Sequence, residues 1–252
     1  MPDQGDQRDQ RDQKEQSGQS GQNSQNGQNQ GRSMHGIIFD HGRKARIGLP
    51  EAVFCQGKDR GALLALLEEH QNRENPILFT RLEPELFYSI PAGLQARYQY
   101  HEIGRVAFAA CMPSRPRGKV AVVSAGTADG RVTWEAAKTL EYLGIEYSVY
   151  EDNGVAGLWR LTSNLERINT YDVIIVIAGL DAALASVMGG LTSRPIFAVP
   201  SSVGYGVARN GETALASMLV SCAPGVPVLN IDNGYGAACA AARVVNLLCR
   251  DD

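Results

Sequence analysis

The sequence predicts an α/β fold, a doubly wound parallel sheet three layers thick, preceded by a smaller α/β segment. Three observations carry this. Uniformly apolar runs alternate with helix-period stretches from about residue 120 to 250. Each apolar run ends in a short, polar, glycine-bearing loop. The runs do not alternate apolar with polar, so both of their faces are covered, as in a parallel sheet packed by helices on each side.

The elements follow in order. "VAVVSAG" (120–126) is a buried strand ending in glycine, and "RVTWEAAKTLEYLG" (131–144) is a helix with a glycine stop. "EYSVYE" (146–151) is a strand, and "GVAGLWRLTSNLERI" (154–168) is largely helical. "DVIIVIAG" (172–179) is the most apolar strand, followed by a helix at "AALASVMGGL" (182–191). "PIFAVP" (195–200) is a strand and "GETALASMLVSC" (211–222) a helix. "VPVLNID" (226–232) is a fifth strand, and "GAACAAARVVNLLCR" (236–250) a closing helix. Upstream, "AVFC" (52–55) and "PILFT" (76–80) read as short strands flanking a leucine-spaced helix, "RGALLALLEEH" (60–70). "PSRPRGK" (113–119) reads as a linker. Residues 1–33 include "SGQSGQNSQNGQNQG", which has no apolar residue, so a disordered tail is expected there. The organisation is thus a tail (1–33), an N-terminal α/β segment (34–115) and a doubly wound α/β domain (116–252).

Composition narrows the function. The chain has 252 residues and a formal net charge of −3, so no nucleic-acid partner is expected. No apolar stretch is long enough for a membrane span, and the N-terminal stretch lacks the apolar core of a secretory signal. Five scattered cysteines without paired spacing argue against a disulfide framework or a zinc site and suit a reducing, cytoplasmic setting. No metal site and no tightly bound cofactor are expected; Mg2+ is the one ion left open.

Ligands of doubly wound sheets bind beyond the carboxyl ends of the strands. The loops there are "SAGTADG" with Ser124, Gly126, Thr127 and Asp129, then "EDNGVAG", then "AGLDAAL" with Asp181. "PSSVGYG" follows with Ser201, Ser202, Gly204 and Tyr205, and "NIDNGYG" with Asp232 and Asn233. Five such loops at helix starts point to a phosphate-bearing ligand, because exposed amides there favour anions. Asp232 and Asn233 either orient the ligand or cap the following helix. The glycines and alanines after them are read as letting backbone approach the ligand. Asp40, Arg43, Arg46 and Lys58 form a charge cluster that is either a solvated face or a phosphate contact.

The words "SAGTADGRVTWEAAKTLEYLG", "DNGVAGLWRL", "AGLDAALASVMGGL", "VPSSVGYG" and "SCAPGVPVLNIDNGYGA" resemble the LarB family, as do "DHGRKARIGLPEAVFCQGK" and "FTR" upstream. The domain after residue 116 is also similar, more distantly, to PurE, whose first-strand loop holds a ribotide phosphate with a Ser and an Asp. The resemblance implies a flavodoxin-like, PurE-like fold, and it implies that the domain at 116–252 is nucleotide-binding and catalytic. It implies as substrates nicotinic acid adenine dinucleotide and carbon dioxide or bicarbonate, carboxylation of the pyridinium ring at C5 and cleavage of the phosphoanhydride. The products are pyridinium-3,5-biscarboxylate mononucleotide and AMP, at the first step of nickel-pincer cofactor synthesis. The resemblance to PurE also implies a homo-oligomer, dimers assembling to an octamer.

The family's cysteine falls on Cys222 in "SCAPG". A thiolate suits the chemistry, since it can add to the ring and later leave. If Cys222 ends its helix, the negative end of the macrodipole disfavours a thiolate and favours a pyridinium cation. Asp181 stands where the family usually has Glu, as the proton-removing carboxylate, and Trp159 where it usually has His. Competing readings are a purine-pathway aminoimidazole ribotide carboxylase or mutase, and a nucleotide-binding sensor without catalysis.

Overall fold

The structure is a computed structural model that describes residues 39–40, 42–71 and 76–249. The expected tail at 1–33 lies outside the described residues.

The half after residue 118 is built as the apolar runs require. Strands β5 (Lys119–Ser124), β6 (Glu146–Tyr150), β7 (Val173–Ala178) and β8 (Ile196–Pro200) form one parallel sheet. Their order is β6-β5-β7-β8. β7 is buried at every position, which is why its sequence shows no alternation. Helices α5 (Gly130–Tyr142) and α9 (Gly234–Leu248) pack one face with Val120, Val122, Ile175 and Ile177. Helices α6 (Leu158–Ile168), α7 (Ala183–Leu191) and α8 (Glu212–Leu219) cover the other face over Val123, Ile174 and Val176. These are the three expected layers of an α/β, doubly wound, flavodoxin-like fold.

The sheet has four strands rather than five. Residues 226–232 run beside β8 but make only the bridge Ala198–Val228. Pro227 has no N–H to donate to a ladder, and Asp232 already turns away with φ +58.

The N-terminal segment is richer than its sequence predicts. α1 (Arg43–Ile47), β1 (Ala52–Phe54), α2 (Arg60–Glu69) and β2 (Leu78–Thr80) are followed by α3 (Pro84–Tyr88) and α4 (Ala92–Gln95). A hairpin of β3 (Gln99–His101) and β4 (Val106–Phe108) completes a mixed sheet, β1-β2-β4-β3. Phe79, Leu66, Leu67 and Phe87 make a core of its own. Leu78 and Phe108 instead join the core of the parallel sheet, so the two halves share apolar surface.

One buried carboxylate also spans the halves. Glu135 of α5 is 1% exposed and accepts from Thr80 Oγ1 at 2.6 Å and from the Gly234 amide at 3.0 Å. Arg81 lies 3.5 Å from the same carboxylate and donates to the Asp232 carbonyl at 2.7 Å.

Candidate active site

In the order β6-β5-β7-β8 the chain reverses direction across the sheet between β5 and β7, the switch point where such folds open a crevice. A cavity of about 810 Å3 lies there. Its walls are the loops after β5 (Ala125, Gly126, Asp129), β6 (Gly154, Val155) and β7 (Gly179 to Leu184), with Val203 from the loop after β8 and Arg160 of α6. The volume is in the range of ligand sites, and the lining is mostly small and apolar with few polar groups.

The loop after β7 is tightly specified. The Leu180 amide donates to the Val203 carbonyl at 3.0 Å and the Ala182 amide to the Gly179 carbonyl at 2.8 Å. A Cβ on Gly179 would lie 2.3 Å from the Val203 carbonyl oxygen, so only glycine fits. Leu180 and Ala182, on either side of Asp181, both have φ +53. Left-handed non-glycine residues are strained and concentrate at functional sites. Asp181 itself is exposed at the cavity wall, its Oδ1 only 3.4 Å from the Ala183 amide, so its carboxylate is largely uncommitted.

Other predicted residues hold loops in place. Asp129 is buried and accepts from Ser201 Oγ and from the Gly126 amide at 2.9 Å. Burial pushes its carboxyl pKa up, and the Ser201 and Gly126 bonds oppose this. Asp232 accepts from the Ser202 amide at 2.9 Å and pairs with Arg131 at 2.7 Å. Asn233 caps α9, its side chain accepting from the Gly236 amide at 2.8 Å. The row of small residues after it packs α9 onto α5. A Cβ on Gly234 would lie 2.4 Å from the Val132 carbonyl oxygen, and Ala237, Ala238, Ala241 and Ala242 are buried. These small residues serve helix packing, and none of them lines the cavity. Ser124 is fully buried with no hydrogen-bond partner for its hydroxyl, just below the cavity rim at the end of β5. Thr127, Gly204 and Tyr205 are exposed on the edge loops.

Several predicted residues stay apart. Arg43 lies 3.9 Å from Glu51, and Arg46 pairs with Asp40, holding the Asp40 carboxyl below its ordinary value. Neither they nor exposed Lys58 line the cavity. Arg43 and Arg46 thus face carboxylates of their own segment, away from that cavity. Cys222 is exposed in the turn beyond α8, which ends at Leu219, so it is not a helical residue. Its neighbour Ser221 bonds Ser186 of α7 at 2.7 Å, and Cys222 does not line the cavity of its own chain. Burial pushes the Cys55 thiol up to about 12 and also raises those of Cys239 and Cys111, so these three resist thiolate formation. Trp159 is 71% exposed and outside the cavity.

Sequence reasoning missed Arg160, one residue from Trp159. It lies in the cavity wall, pairs with Asp152 and has a buried Nε without a partner. The only signal was its place on the helix following "DNGVAG", where an anion-binding loop predicts a cation. Arg131 and Arg81, which hold Asp232 from two sides, were missed too, because they meet it only in three dimensions.

Residues 119–250 match the AIR carboxylase family, and residues 33–110 match the LarB/PurE-like N-terminal domain, which makes this an enzyme of the carboxylase and mutase kind. The chain belongs to the AIR carboxylase family and carries that N-terminal domain. An uncharacterised protein of Methanocaldococcus jannaschii is 34% identical over 218 residues, covering 83% of this chain and 84% of that one. An N5-carboxyaminoimidazole ribonucleotide mutase of the same organism is 32% identical over 133 residues, 51% of this chain and 79% of the relative. A crystal structure of Treponema denticola PurE is 23% identical, with a TM-score of 0.45, over 52% of this chain and 82% of that chain. No described helix is long and apolar enough to cross a membrane.

Proposed function

We propose that this enzyme carboxylates C5 of the pyridinium ring of nicotinic acid adenine dinucleotide and cleaves its phosphoanhydride with water. The products are pyridinium-3,5-biscarboxylate mononucleotide and AMP. The observation that carries this reading is the LarB/PurE-like N-terminal domain at residues 33–110, joined to the family's carboxylase domain. The purine-pathway reading draws instead on the mutase relative, whose similarity covers about half of this chain.

In the proposed reaction the Cys222 thiolate adds to C4 of the cationic ring. This gives a neutral dihydropyridine whose C5 is enamine-like. C5 attacks carbon dioxide and forms the new C–C bond, leaving a proton on C5. Asp181 removes that proton, and expulsion of the thiolate from C4 restores the aromatic pyridinium. Arg160 supplies a cation for a phosphate of the dinucleotide. The geometry of Asp181 supports its role: an uncommitted carboxylate on a strained loop at the switch point.

Cys222 requires a second copy of the chain in this scheme, consistent with the homo-oligomer expected from the resemblance. The chain just before it favours such a contact, since Leu219 and Val220 are exposed apolar residues, and exposed apolar surface is a feature of interaction sites. Co-expressing Cys222→Ser with Asp181→Asn should restore activity that neither variant has alone; no restoration would place both residues in one chain's site. The reaction itself is tested by incubating the enzyme with nicotinic acid adenine dinucleotide and 13C-bicarbonate and weighing the products. The labelled biscarboxylate mononucleotide with AMP is expected. Labelled product from aminoimidazole ribotide, and none from the dinucleotide, would favour the purine-pathway reading.

A further inference from the structure

At the opposite edge of the sheet lies a second cleft that the proposed reaction does not use. α9 begins at the carboxyl edge of the strands and ends at Leu248, about 22 Å away for a helix of this length. There its last turns meet α1 and the segment 113–118, enclosing about 740 Å3. Lys44, Arg46, Arg115 and Arg243 line this cleft, and no carboxylate among the described residues does.

Arg46 is paired with Asp40, but Lys44, Arg115 and Arg243 have no ion-pair partner among the described residues. The carboxyl end of a long helix carries about half a negative charge, so α9 offsets only a fraction of theirs. Two polar atoms are buried there without partners, Nε of Arg115 and Oδ1 of Asn246. The Arg115 backbone is itself fixed, its amide donating to the Gly144 carbonyl at 2.7 Å. A buried donor without a partner is costly, so an acceptor that reaches this guanidinium is favoured.

We propose that this cleft binds a small phosphate-bearing polyanion, separately from the cavity at the carboxyl edge. Guanidinium groups match phosphate oxygens in pairs, and Lys44 adds a point charge at the rim. The concave shape and volume suit a small molecule rather than a nucleic-acid strand, which the net charge of −3 would also repel.

The test titrates sodium tripolyphosphate into the full chain by calorimetry at physiological salt. The unmodified protein should bind it, and Arg160→Gln, which alters the carboxyl-edge cavity and not the cleft, should retain the cleft's binding event. Arg115→Gln/Arg243→Gln should bind at least about tenfold more weakly, as expected for loss of charge-assisted bonds. Lys44→Gln, a change at an exposed residue, keeps the comparison valid if the double variant does not fold, and should weaken binding in the same direction. Binding lost in Arg160→Gln but kept in the cleft variants would overturn the proposal. So would binding that appears only after residues 250–252, with their two aspartates, are removed, since the cleft would then belong to the chain's own acidic end.

Discussion

Two edge loops of the sheet look alike in sequence and differ in purpose. "AGLDAAL" after β7 and "NIDNGYGA" before α9 are both small, polar and glycine-bearing. In the first, Gly179 makes room for the carbonyl of Val203, two left-handed residues follow, and Asp181 is left at the cavity wall. In the second, the side chains of Asp232 and Asn233 are already engaged. Asp232 is held by Ser202 and Arg131, Asn233 caps α9, and Gly234 is pressed against α5. Loop composition therefore marks close backbone packing in general. What sets the first loop apart is a polar side chain without a committed partner.

This contrast can be broken by substitution. The largest effect is expected at Asp181. Asp181→Asn should slow turnover about 100- to 10,000-fold, the usual contribution of a general base, while Asp181→Glu retains activity; steady-state rates on the dinucleotide decide it. Near-native turnover of Asp181→Asn would erase the distinction between the loops. Gly234→Ala should act on stability instead. Its Cβ meets backbone 2.4 Å away, so a loss of about 1–3 kcal/mol is expected from overpacking, read from the denaturant midpoint. Turnover per folded molecule at saturating substrate should be kept. Asn233→Ala should cost about 1 kcal/mol as a lost helix cap, with KM unchanged.

The smallest effect is a pH dependence at Asp129. Burial holds its carboxyl above the ordinary 3.8 in the folded chain. Its protonated form therefore stabilises the fold below pH 3.8, and that contribution is lost as pH rises through the raised folded value. Asp129→Asn can keep both hydrogen bonds without a charge. Its melting temperature should exceed that of the unmodified protein at neutral pH, and the difference should shrink towards pH 4 or below. A difference independent of pH would deny the burial effect.

Much of the doubly wound half was legible because its strands are buried on both faces, and an unbroken apolar run such as Val173–Ala178 has few other readings. The hairpin of β3 and β4 was not, because three residues per strand are too few to show a period. The supposed fifth strand was apolar enough but is capped at one end by a proline and at the other by a left-handed aspartate. At the site, Asp181 was legible from its place after the central strand. Arg160 was not, since a lone arginine on an amphipathic helix is ordinary until the fold aims it at a cavity. The distance of Cys222 from its own cavity was also invisible, because it depends on where α8 stops.

The central claim is that Asp181 and Cys222 act on one substrate. The direct measurement is the intact mass of Asp181→Asn protein after mixing with nicotinic acid adenine dinucleotide and bicarbonate. With the C5 proton in place the ring cannot rearomatise, so protein should accumulate with the carboxylated substrate attached, and peptide mapping should find the attachment at Cys222. Unmodified protein at every time point, or an attachment at another cysteine, would contradict the account.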